Sequence, residues 1–349
     1  MDNSNKIVPP HLNAEIYRTD TTGTNTVSYL DYISIHSDGS VLVGSSELTG
    51  RYWNGGVSVY KGIANAKCVQ NEEKRSIPLS SGTADGCFIG TSTKVLTCED
   101  SGAVTVWTNK NDVWNQWKEE ISVAEHDNAA LAVDCLESER LYVTAGADGN
   151  VKVWDVTDMI CIRNYSAAHS MLINALSVRP KSTSNFATGS MDQYVTLWDD
   201  NVDKPVLGKT KKTSLLNYYI LKNDCCIRCL SWMDENRLAV GDEAGVLRLL
   251  DIRNLETDVK ITEFPAPVHK CHLKFNLSGD KVAVCCDTKI VTVCQVEENS
   301  EPKVIYHDRH MHSNFVRGAA WDIEDKTALH TVGWNGELKS HTVQKKSIN

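Results

Sequence analysis

The chain has 349 residues, of which 41% are hydrophobic, and its formal net charge is −9 at pH 7. This acidic balance argues against direct nucleic-acid binding, which uses a basic face to neutralise phosphates. The sequence begins with polar residues and contains no apolar run of about 18 residues, so we expect neither a secretory signal nor a membrane span. The 12 cysteines are expected to be reduced thiols in a cytoplasmic and nuclear protein, many of them on buried strands.

The first 26 residues form a mostly polar arm that includes the turn-forming pair Pro9-Pro10. Within this arm, Ala14-Glu-Ile-Tyr-Arg-Thr19 alternates apolar and polar residues, which is typical of a half-buried strand. We therefore predict a single strand at residues 14–19 inside an otherwise loop-like arm.

The next notable segment is Ser45-Ser-Glu-Leu-Thr-Gly-Arg-Tyr-Trp-Asn-Gly-Gly56, which lies between two strand patterns. A plain β-hairpin connection needs roughly two to five residues, so we predict an extended loop here. The loop carries Arg51 and Trp53 between glycines. A Trp on such a loop is exposed at a cost, folds back onto its own unit, or is buried in a partner.

The clearest strand–turn–strand pattern is Ala145-Gly-Ala-Asp-Gly-Asn-Val-Lys-Val-Trp-Asp155. Asp148-Gly149 predicts a two-residue primed turn, because Gly adopts positive φ without strain. The stretch resembles a WD40 repeat, in which a His, a Ser or Thr, an Asp and a Trp form one hydrogen-bonded tetrad inside a propeller blade. The resemblance assigns the tetrad to His126, Thr144, Asp148 and Trp154.

The pattern recurs along the chain at a nearly fixed period. A second tetrad is predicted at His169, Thr188, Asp192 and Trp198. The positions equivalent to the tetrad Trp are 60, 107, 154, 198, 250, 294 and 341, which gives steps of 47, 47, 44, 52, 44 and 47 residues. These steps match the spacing of propeller blades. The repeats therefore predict an all-β, seven-bladed WD40 propeller in a single domain.

We predict an N-terminal arm at residues 1–26 and the propeller at residues 27–349. The last blade lacks a fourth strand pattern after Val343, so we expect the strand at residues 14–19, or a neighbouring piece of the arm, to close it and protect its edge. The predicted blades are approximately 27–70, 85–121, 126–164, 169–221, 225–261, 268–306 and 312–343.

Residues with chemical potential fit structural roles better than catalysis. Asp148, His126 and Thr144 imitate a catalytic triad, but similar trios recur in several blades and would not converge on one cleft. The His cluster at His307–His312 overlaps the tetrad-like position of blade seven, and the Cys226-Ile-Arg-Cys229 pair lacks a second pair at zinc spacing. We therefore predict no catalytic residue, no metal site and no cofactor.

Two stretches leave other partner interactions open. Leu250-Asp-Ile-Arg253 is similar to the Trp-Asp-x-Arg box of propellers that act as substrate receptors of cullin ubiquitin ligases, although its Trp is replaced and one copy occurs. Such a receptor is the alternative function. The basic stretch Lys209–Lys212 is either a solvated loop, a contact for an acidic partner or a localisation signal.

Three stretches resemble the methylosome WD-repeat subunits. They are Leu42–Lys61, which contains Gly-Arg-x-Trp, then Asp100–Trp107, and then His312–Asn335, which contains Phe-Val-Arg. The second stretch is nearly generic for a propeller, whereas the first and third carry unusual additions. The resemblance covers the whole chain at the level of blades and is most specific at its two ends.

The resemblance implies a non-catalytic partner of a type II protein arginine methyltransferase in a hetero-octamer. Members of the family bind the N-terminal barrel domain of the enzyme and help present histone tails and Sm proteins for symmetric arginine dimethylation. The acidic charge is compatible with such basic substrates. We expect no direct contact with nucleic acid or membrane.

The resemblance also implies a binding site in the first hairpin. In the family, the matching Gly-Arg-x-Trp loop docks into the barrel domain. Trp53 is therefore assigned as the apolar anchor and Arg51 as its hydrogen-bonding neighbour. Supporting contacts are assigned to Ser45, Ser46, Glu47, Leu48, Thr49 and Tyr52.

Overall fold

The computed structural model describes residues 27–49, 52–67, 77–110, 116–201, 220–253, 258–269, 280–296 and 303–343. These residues form seven antiparallel sheets, and each sheet is built from consecutive strands. The first strand of each sheet is innermost and contacts the first strand of a neighbouring sheet, and the ring closes between the first and last sheets. The predicted seven-bladed β-propeller is confirmed.

The first four blades each contain four described strands, and blade one also contains a short helix, α1(Ile63–Lys67). The strands are β1(Val27–Ile35), β2(Val41–Thr49), β3(Tyr52–Tyr60) and β4(Ile77–Leu79) in blade one; β5(Thr83–Ile89), β6(Thr91–Glu99), β7(Ala103–Thr108) and β8(Lys118–Ala124) in blade two; β9(Ala130–Glu137), β10(Leu141–Gly146), β11(Val151–Asp155) and β12(Ile160–Tyr165) in blade three; and β13(Ile173–Val178), β14(Asn185–Ser190), β15(Tyr194–Asp199) and β16(Ile220–Lys222) in blade four.

Blades five and six repeat this arrangement, and blade seven has three strands among the described residues. The strands are β17(Ile227–Trp232), β18(Arg237–Asp242), β19(Val246–Asp251) and β20(Asp258–Glu263) in blade five; β21(Val268–His269), β22(Lys281–Cys286), β23(Val291–Gln295) and β24(Lys303–Asp308) in blade six; and β25(Val316–Trp321), β26(Ala328–Gly333) and β27(Leu338–Thr342) in blade seven. The closing strand predicted at residues 14–19 lies outside the described residues, as does the basic stretch Lys209–Lys212.

The hydrophobic core lies between neighbouring blades. Trp154 is fully buried in a cluster that also contains Leu96 and Val104 of the preceding blade. Trp198 of blade four is likewise clustered with Val143 and Val153 of blade three. A single blade cannot bury both of its faces, so each apolar side chain of this kind stabilises two blades at once.

The turn between β10 and β11 differs from its predicted form. A primed two-residue turn would place both Asp148 and Gly149 at positive φ, but only Gly149 has it, at 73°. The Gly149 N–H donates to the Gly146 carbonyl over 3.2 Å, and the Gly146 N–H donates to the Asn150 carbonyl over 3.3 Å, so the loop has three residues, 147–149, instead of two. A left-handed residue then closes it, and Gly149 supplies that conformation without strain.

Blade one contradicts two of the predicted boundaries. The expected loop at residues 45–56 was wrong, because β2 and β3 pair continuously from Val41↔Tyr60 to Thr49↔Tyr52. The outer strand is β4 at Ile77–Leu79, which lies beyond the predicted blade end at residue 70. Gly55 pairs with Leu79, and a Cβ on this glycine would approach the Ser81 carbonyl oxygen to 2.4 Å. The glycines that suggested a loop therefore allow two strands and a turn to approach closely.

Among the described residues, no helix has the length and apolar character needed to cross a membrane.

Candidate partner-binding face

The predicted tetrad of blade three forms one hydrogen-bonded chain. The Trp154 indole N–H donates to the Thr144 hydroxyl over 2.8 Å, and the Thr144 hydroxyl lies 2.9 Å from His126 Nε2. The other ring nitrogen of His126 lies 3.0 Å from Asp148 Oδ2. His126 and Thr144 are buried, which fits a structural role for the trio that imitates a catalytic triad.

Blade four repeats the same chain with its own four residues. Trp198 donates to the Thr188 hydroxyl over 2.7 Å, and that hydroxyl lies 2.8 Å from His169 Nε2. His169 Nδ1 lies 2.9 Å from Asp192 Oδ2. The two tetrads satisfy buried polar groups inside separate blades and do not converge on a common cleft.

The ionisation of these groups fits a structural role. Burial lowers the pKa of His126, although the nearby Asp148 carboxylate opposes this shift. Burial acts to raise the pKa of Asp148, but the hydrogen bonds from the Asn150 backbone and the interaction with His126 outweigh it and lower the pKa. At neutral pH the pair is therefore a neutral imidazole that donates to an ionised carboxylate.

The other groups with chemical potential have local partners. Among the described residues, no group of three or more His, Cys, Asp or Glu side chains is arranged to hold a metal ion. His307 lies 2.7 Å from the Arg309 Nε–H donor, while His312 belongs to the network inside blade seven. Cys226 contacts the Met191 carbonyl oxygen, and the exposed Arg253 is ion-paired with Asp251 of its own box.

One opening of the central channel forms a cavity of about 260 Å³, which we call the channel mouth. Side chains from the inner strands of six blades reach it because each is the extra residue at a β-bulge, which re-aims a side chain. These bulge residues are Asp31, Ala84, Leu131, Asn174, Arg228 and Arg317.

An aromatic cluster joins blades one and seven at the channel mouth, consisting of Tyr29, Trp53, Phe315 and Trp334. Trp53 stacks on Tyr29 with ring centroids 6.1 Å apart, and Tyr29 meets Trp334 edge-on at 5.4 Å. Phe315 also contacts Trp334, with ring centroids 5.7 Å apart. Trp53 and Phe315 are the exposed members, at 45% and 38%.

Trp53 is held in place although it is half exposed. Its indole N–H forms a hydrogen bond to Asp100, and its ring packs over Gly82, where a Cβ would come within 2.5 Å of Trp53 Nε1. Burial raises the pKa of Asp100, and the charge of Asp31 adds to this, whereas the hydrogen bond from Trp53 opposes it. The β2–β3 hairpin thus presents an oriented indole instead of a loose loop tip.

Trp334 and Arg317 complete the other wall of the mouth. The Trp334 indole N–H donates to Asp31 Oδ1 over 2.9 Å, and the Arg317 guanidinium lies 4.4 Å from the centre of the Trp334 ring. Arg317 and Arg228 both form ion pairs with Asp287, at 3.0 and 3.5 Å. Burial lowers the pKa of Arg317, but Asp287 and Asp31 oppose this shift.

The remaining residues assigned to partner binding have different positions. Arg51 and the side chains of Leu48, Thr49 and Tyr52 lie outside the described part of the chain. Ser45, Ser46 and Glu47 are buried, and the Ser45 hydroxyl donates to the Gly56 carbonyl over 3.1 Å. In the free chain these three residues therefore support the hairpin instead of presenting a contact surface, although Ser46 also lines the mouth.

The bulge residues have a signal in the sequence, because they occupy a nearly fixed place in the repeat. In blades two to five and seven they lie 22 to 24 residues before the position equivalent to the tetrad Trp. The residue type at this position differs between blades, for example Ala84 in blade two and Arg317 in blade seven, whereas residues with a structural role, such as those of the tetrad, recur between blades. A variable residue at a fixed repeat position indicates a surface specific to this protein.

Comparisons with known proteins agree with the fold. A model of the WD domain, G-beta repeat, matches residues 117–155 and 159–199. The chain is 25% identical to Methylosome protein WDR77 of Xenopus laevis over 320 residues. This match spans 87% of this chain and 86% of that protein. A BTB/POZ domain and WD-repeat protein of Acanthamoeba polyphaga mimivirus is 22% identical over 163 residues, or 46% of this chain and 30% of that protein.

Proposed function

We propose that this WD40-repeat propeller is of the methylosome WD-repeat type and is the non-catalytic scaffold of a protein arginine methyltransferase complex. The similarity to a methylosome protein extends over 87% of the chain. The buried tetrads account for the His, Asp and Thr residues that could suggest catalysis. The enzyme is expected to supply the chemistry and the propeller to supply binding surface.

The observation that carries this proposal is the oriented, half-exposed Trp53 beside the channel mouth. Exposed aromatic side chains next to charged groups have the composition of interface hot spots, where Trp, Tyr and Arg dominate the binding energy. Asp100 and Tyr29 fix the indole before any partner arrives. Pre-orientation reduces the entropy that binding would otherwise have to remove.

We assign Trp53 as the anchor that enters a pocket of the methyltransferase's N-terminal barrel domain. Arg51 is its charge-assisted hydrogen-bonding neighbour, and Leu48, Thr49 and Tyr52 supply the supporting contacts of the hairpin tip. The aromatic cluster around Trp334 extends the apolar contact area towards blade seven. The complex is proposed to be a hetero-octamer of enzyme and propeller subunits.

The proposed substrates are basic protein tails, including histone tails and the Arg/Gly-rich tails of Sm proteins. The net charge of −9 favours encounter with such tails by electrostatic attraction. The proposed places of action are the cytoplasm and the nucleus. Symmetric dimethylation of arginine would take place on the enzyme, with the propeller holding part of the substrate.

The experiment compares binding of the methyltransferase to wild-type chain and to Trp53→Ala by titration calorimetry, beside a thermal melt of each free propeller. Trp53→Ala is expected to weaken binding by about 2–4 kcal/mol, the range of a hot-spot truncation. The free propeller should melt almost unchanged because this side chain is half exposed. Ile160→Ala is the matched control, since Ile160 is also an exposed apolar residue but lies on the outer strand of blade three.

Wild-type affinity in Trp53→Ala would contradict the assignment of the anchor, as would an equally large loss of thermal stability. Affinity capture from a cell extract tests the wider proposal. Recovery of a methyltransferase supports it, whereas recovery of a cullin adaptor in its place would favour the substrate-receptor function suggested by Leu250–Arg253.

A further inference from the structure

The boundary between blades four and five contains a cavity of about 230 Å³. No part of the proposed methyltransferase site lies in it. Its walls come from the outer part of blade four and the middle strands of blade five. The lining residues are Val195, Leu221, Lys222, Asn223, Asp224, Val240, Arg248 and Leu250.

Strand register shows why a cavity occurs at this boundary. At the preceding boundary, Tyr165 of blade three pairs with Val151, and Trp198 of blade four pairs with Phe186. Their two rings fill that boundary with centroids 4.9 Å apart. At the boundary between blades four and five, both equivalent positions are leucines. Leu221 pairs with Val195 and corresponds to Tyr165, while Leu250 pairs with Leu238 and corresponds to Trp198.

The rest of the tetrad is also replaced in blade five. Val240 takes the place of the tetrad Thr and pairs with Arg248. Asn223 takes the place of the His, four residues before the inner strand, and its side chain donates to the Cys225 carbonyl and to Asp242. Blade five therefore lacks the tetrad network of blade four, and the space of two aromatic rings is only partly filled.

The cavity has an apolar interior and a charged rim. Val195 and Val240 are buried at 2% and 3%, while Leu221 and Leu250 are half-buried walls. At the rim, Lys222 is exposed, and Arg248 lies 3.3 Å from Asp224, whose side chain is 89% exposed. The rim thus carries two cations and one anion, so its charge favours an acidic ligand.

We propose that this cavity binds the aromatic side chain of a partner peptide in which acidic residues flank the aromatic one. The ring would occupy the space that Tyr165 and Trp198 fill at the preceding boundary. The flanking carboxylates would pair with Lys222 and Arg248 at the rim. Apolar pockets with a few convergent polar groups are the usual form of such sites.

The test uses the full chain with labelled Val and Leu methyl groups, titrated with the blocked peptide acetyl-Glu-Trp-Glu-amide and followed by NMR. Saturable shifts are expected at the methyl groups of Val195, Leu221, Val240 and Leu250. Acetyl-Glu-Ala-Glu-amide should leave them unshifted. Acetyl-Lys-Trp-Lys-amide should bind at least tenfold more weakly, because it reverses the charge that meets the rim.

Two variants fill the cavity from opposite walls. The double change Val240→Thr with Leu250→Trp restores an indole and its hydroxyl acceptor, and Leu221→Tyr restores the other ring. Each folded variant should bind the Glu-Trp-Glu peptide at least tenfold more weakly than wild type. Arg248→Gln leaves the interior open and should weaken binding of this peptide about tenfold, whereas it should strengthen binding of the Lys-Trp-Lys peptide, because it removes a cation from the rim.

Absence of saturable shifts at millimolar peptide would overturn the proposal. Undiminished binding in either folded filling variant would overturn it too, as would shifts confined to Leu131 at the channel mouth. Free indole-3-acetate carries an indole and a carboxylate but no peptide backbone, so it tests whether the ligand is a peptide or a small aromatic acid. Equal or tighter binding of this acid than of the peptide would contradict a peptide ligand.

Discussion

Blades three and four differ from blade seven in how they satisfy the same buried positions. In the first two, a Trp, a Thr, a His and an Asp form the chain. In blade seven, His341 replaces the Trp and Asn335 replaces the Asp, while Thr331 still lies 2.7 Å from His312 and from His341. The connectivity persists, but the ionised carboxylate is lost.

Blade seven adds a fifth member that the tetrads lack. The Tyr306 hydroxyl lies 2.9 Å from His341 Nδ1. All members are satisfied when Tyr306 donates to His341, His341 to Thr331, Thr331 to His312, and His312 to the Asn335 side-chain oxygen. An imidazole can relay a hydrogen bond through both nitrogens, whereas an indole can only donate, so the substitution lengthens the network.

This difference follows the division between scaffold and binding face. Trp334, which walls the channel mouth, immediately precedes Asn335 in the turn after β26. The two complete tetrads lie in blades that contribute only Leu131 and Asn174 to the mouth. Blades three and four therefore keep the regular scaffold, while the altered blades one and seven carry the aromatic cluster.

Removing a tetrad Trp from a regular blade should cause the largest loss of stability among these variants. Trp154→Ala deletes a side chain with no exposure and should lower the free energy of unfolding by about 3–5 kcal/mol, the usual cost of truncating a buried aromatic. Urea unfolding followed by circular dichroism measures this loss. Trp53→Ala serves as the comparison, and an equal loss in both variants would contradict the division between buried and presented Trp residues.

Removing the tetrad carboxylates should have a smaller effect. Asp148→Ala and Asp192→Ala each remove the acceptor of a buried His N–H and should cost about 1–3 kcal/mol of stability. Binding of the methyltransferase by the folded variants should remain at the wild-type level. A variant that keeps its stability but loses this binding would show that the residue belongs to a site.

The sequence predicted the features that repeat and missed those that depend on distant strands. Trp198 and Asp192 follow local spacing, so both positions could be identified. The hydrogen bond from Trp334 to Asp31 joins residues 303 positions apart, and no local pattern predicts it. The register of the β2–β3 hairpin was also hidden, because its glycines and polar residues are typical of a loop until the neighbouring strand β4 is known.

The histidine network makes blade seven sensitive to acid. Burial, with the neighbouring His312, lowers the pKa of His341 to about 4 from an ordinary value of 6.5. Between these values the unfolded chain binds more protons than the folded one, so the free energy of unfolding falls as the pH falls. Burial also lowers the pKa of His126, His312 and His330, which therefore act in the same direction.

We expect His341→Trp to reduce the loss of stability between pH 7 and pH 5. In this pH range the carboxylates of the unfolded chain stay largely ionised, because their pKa values are about 3.9–4.3. Thermal melts at several pH values measure the slope. His310→Gln is the control, because His310 is exposed and outside the network. An unchanged slope in His341→Trp would show that the network is not the source of the acid sensitivity.

The smallest expected effect concerns a turn in blade four. Where blades two, three, five and seven have a glycine at positive φ, blade four has Gln193 at 74°. A non-glycine residue in this conformation costs roughly 1–2 kcal/mol, but glycine gives back roughly 0.5–1 kcal/mol through the entropy of the unfolded chain. Gln193→Gly should therefore stabilise the propeller by only about 0.5 kcal/mol.

The matched change in blade three should act in the opposite direction. Gly149 has a φ of 73°, and a Cβ there would lie 2.7 Å from the His169 carbonyl oxygen, so Gly149→Ala adds a steric clash to the backbone strain. It should cost at least about 1 kcal/mol. Differential scanning calorimetry of both variants tests the pair. A stabilising Gly149→Ala, or a destabilising Gln193→Gly, would mean that the contacts of each turn, and not its left-handed residue, determine the difference between the two blades.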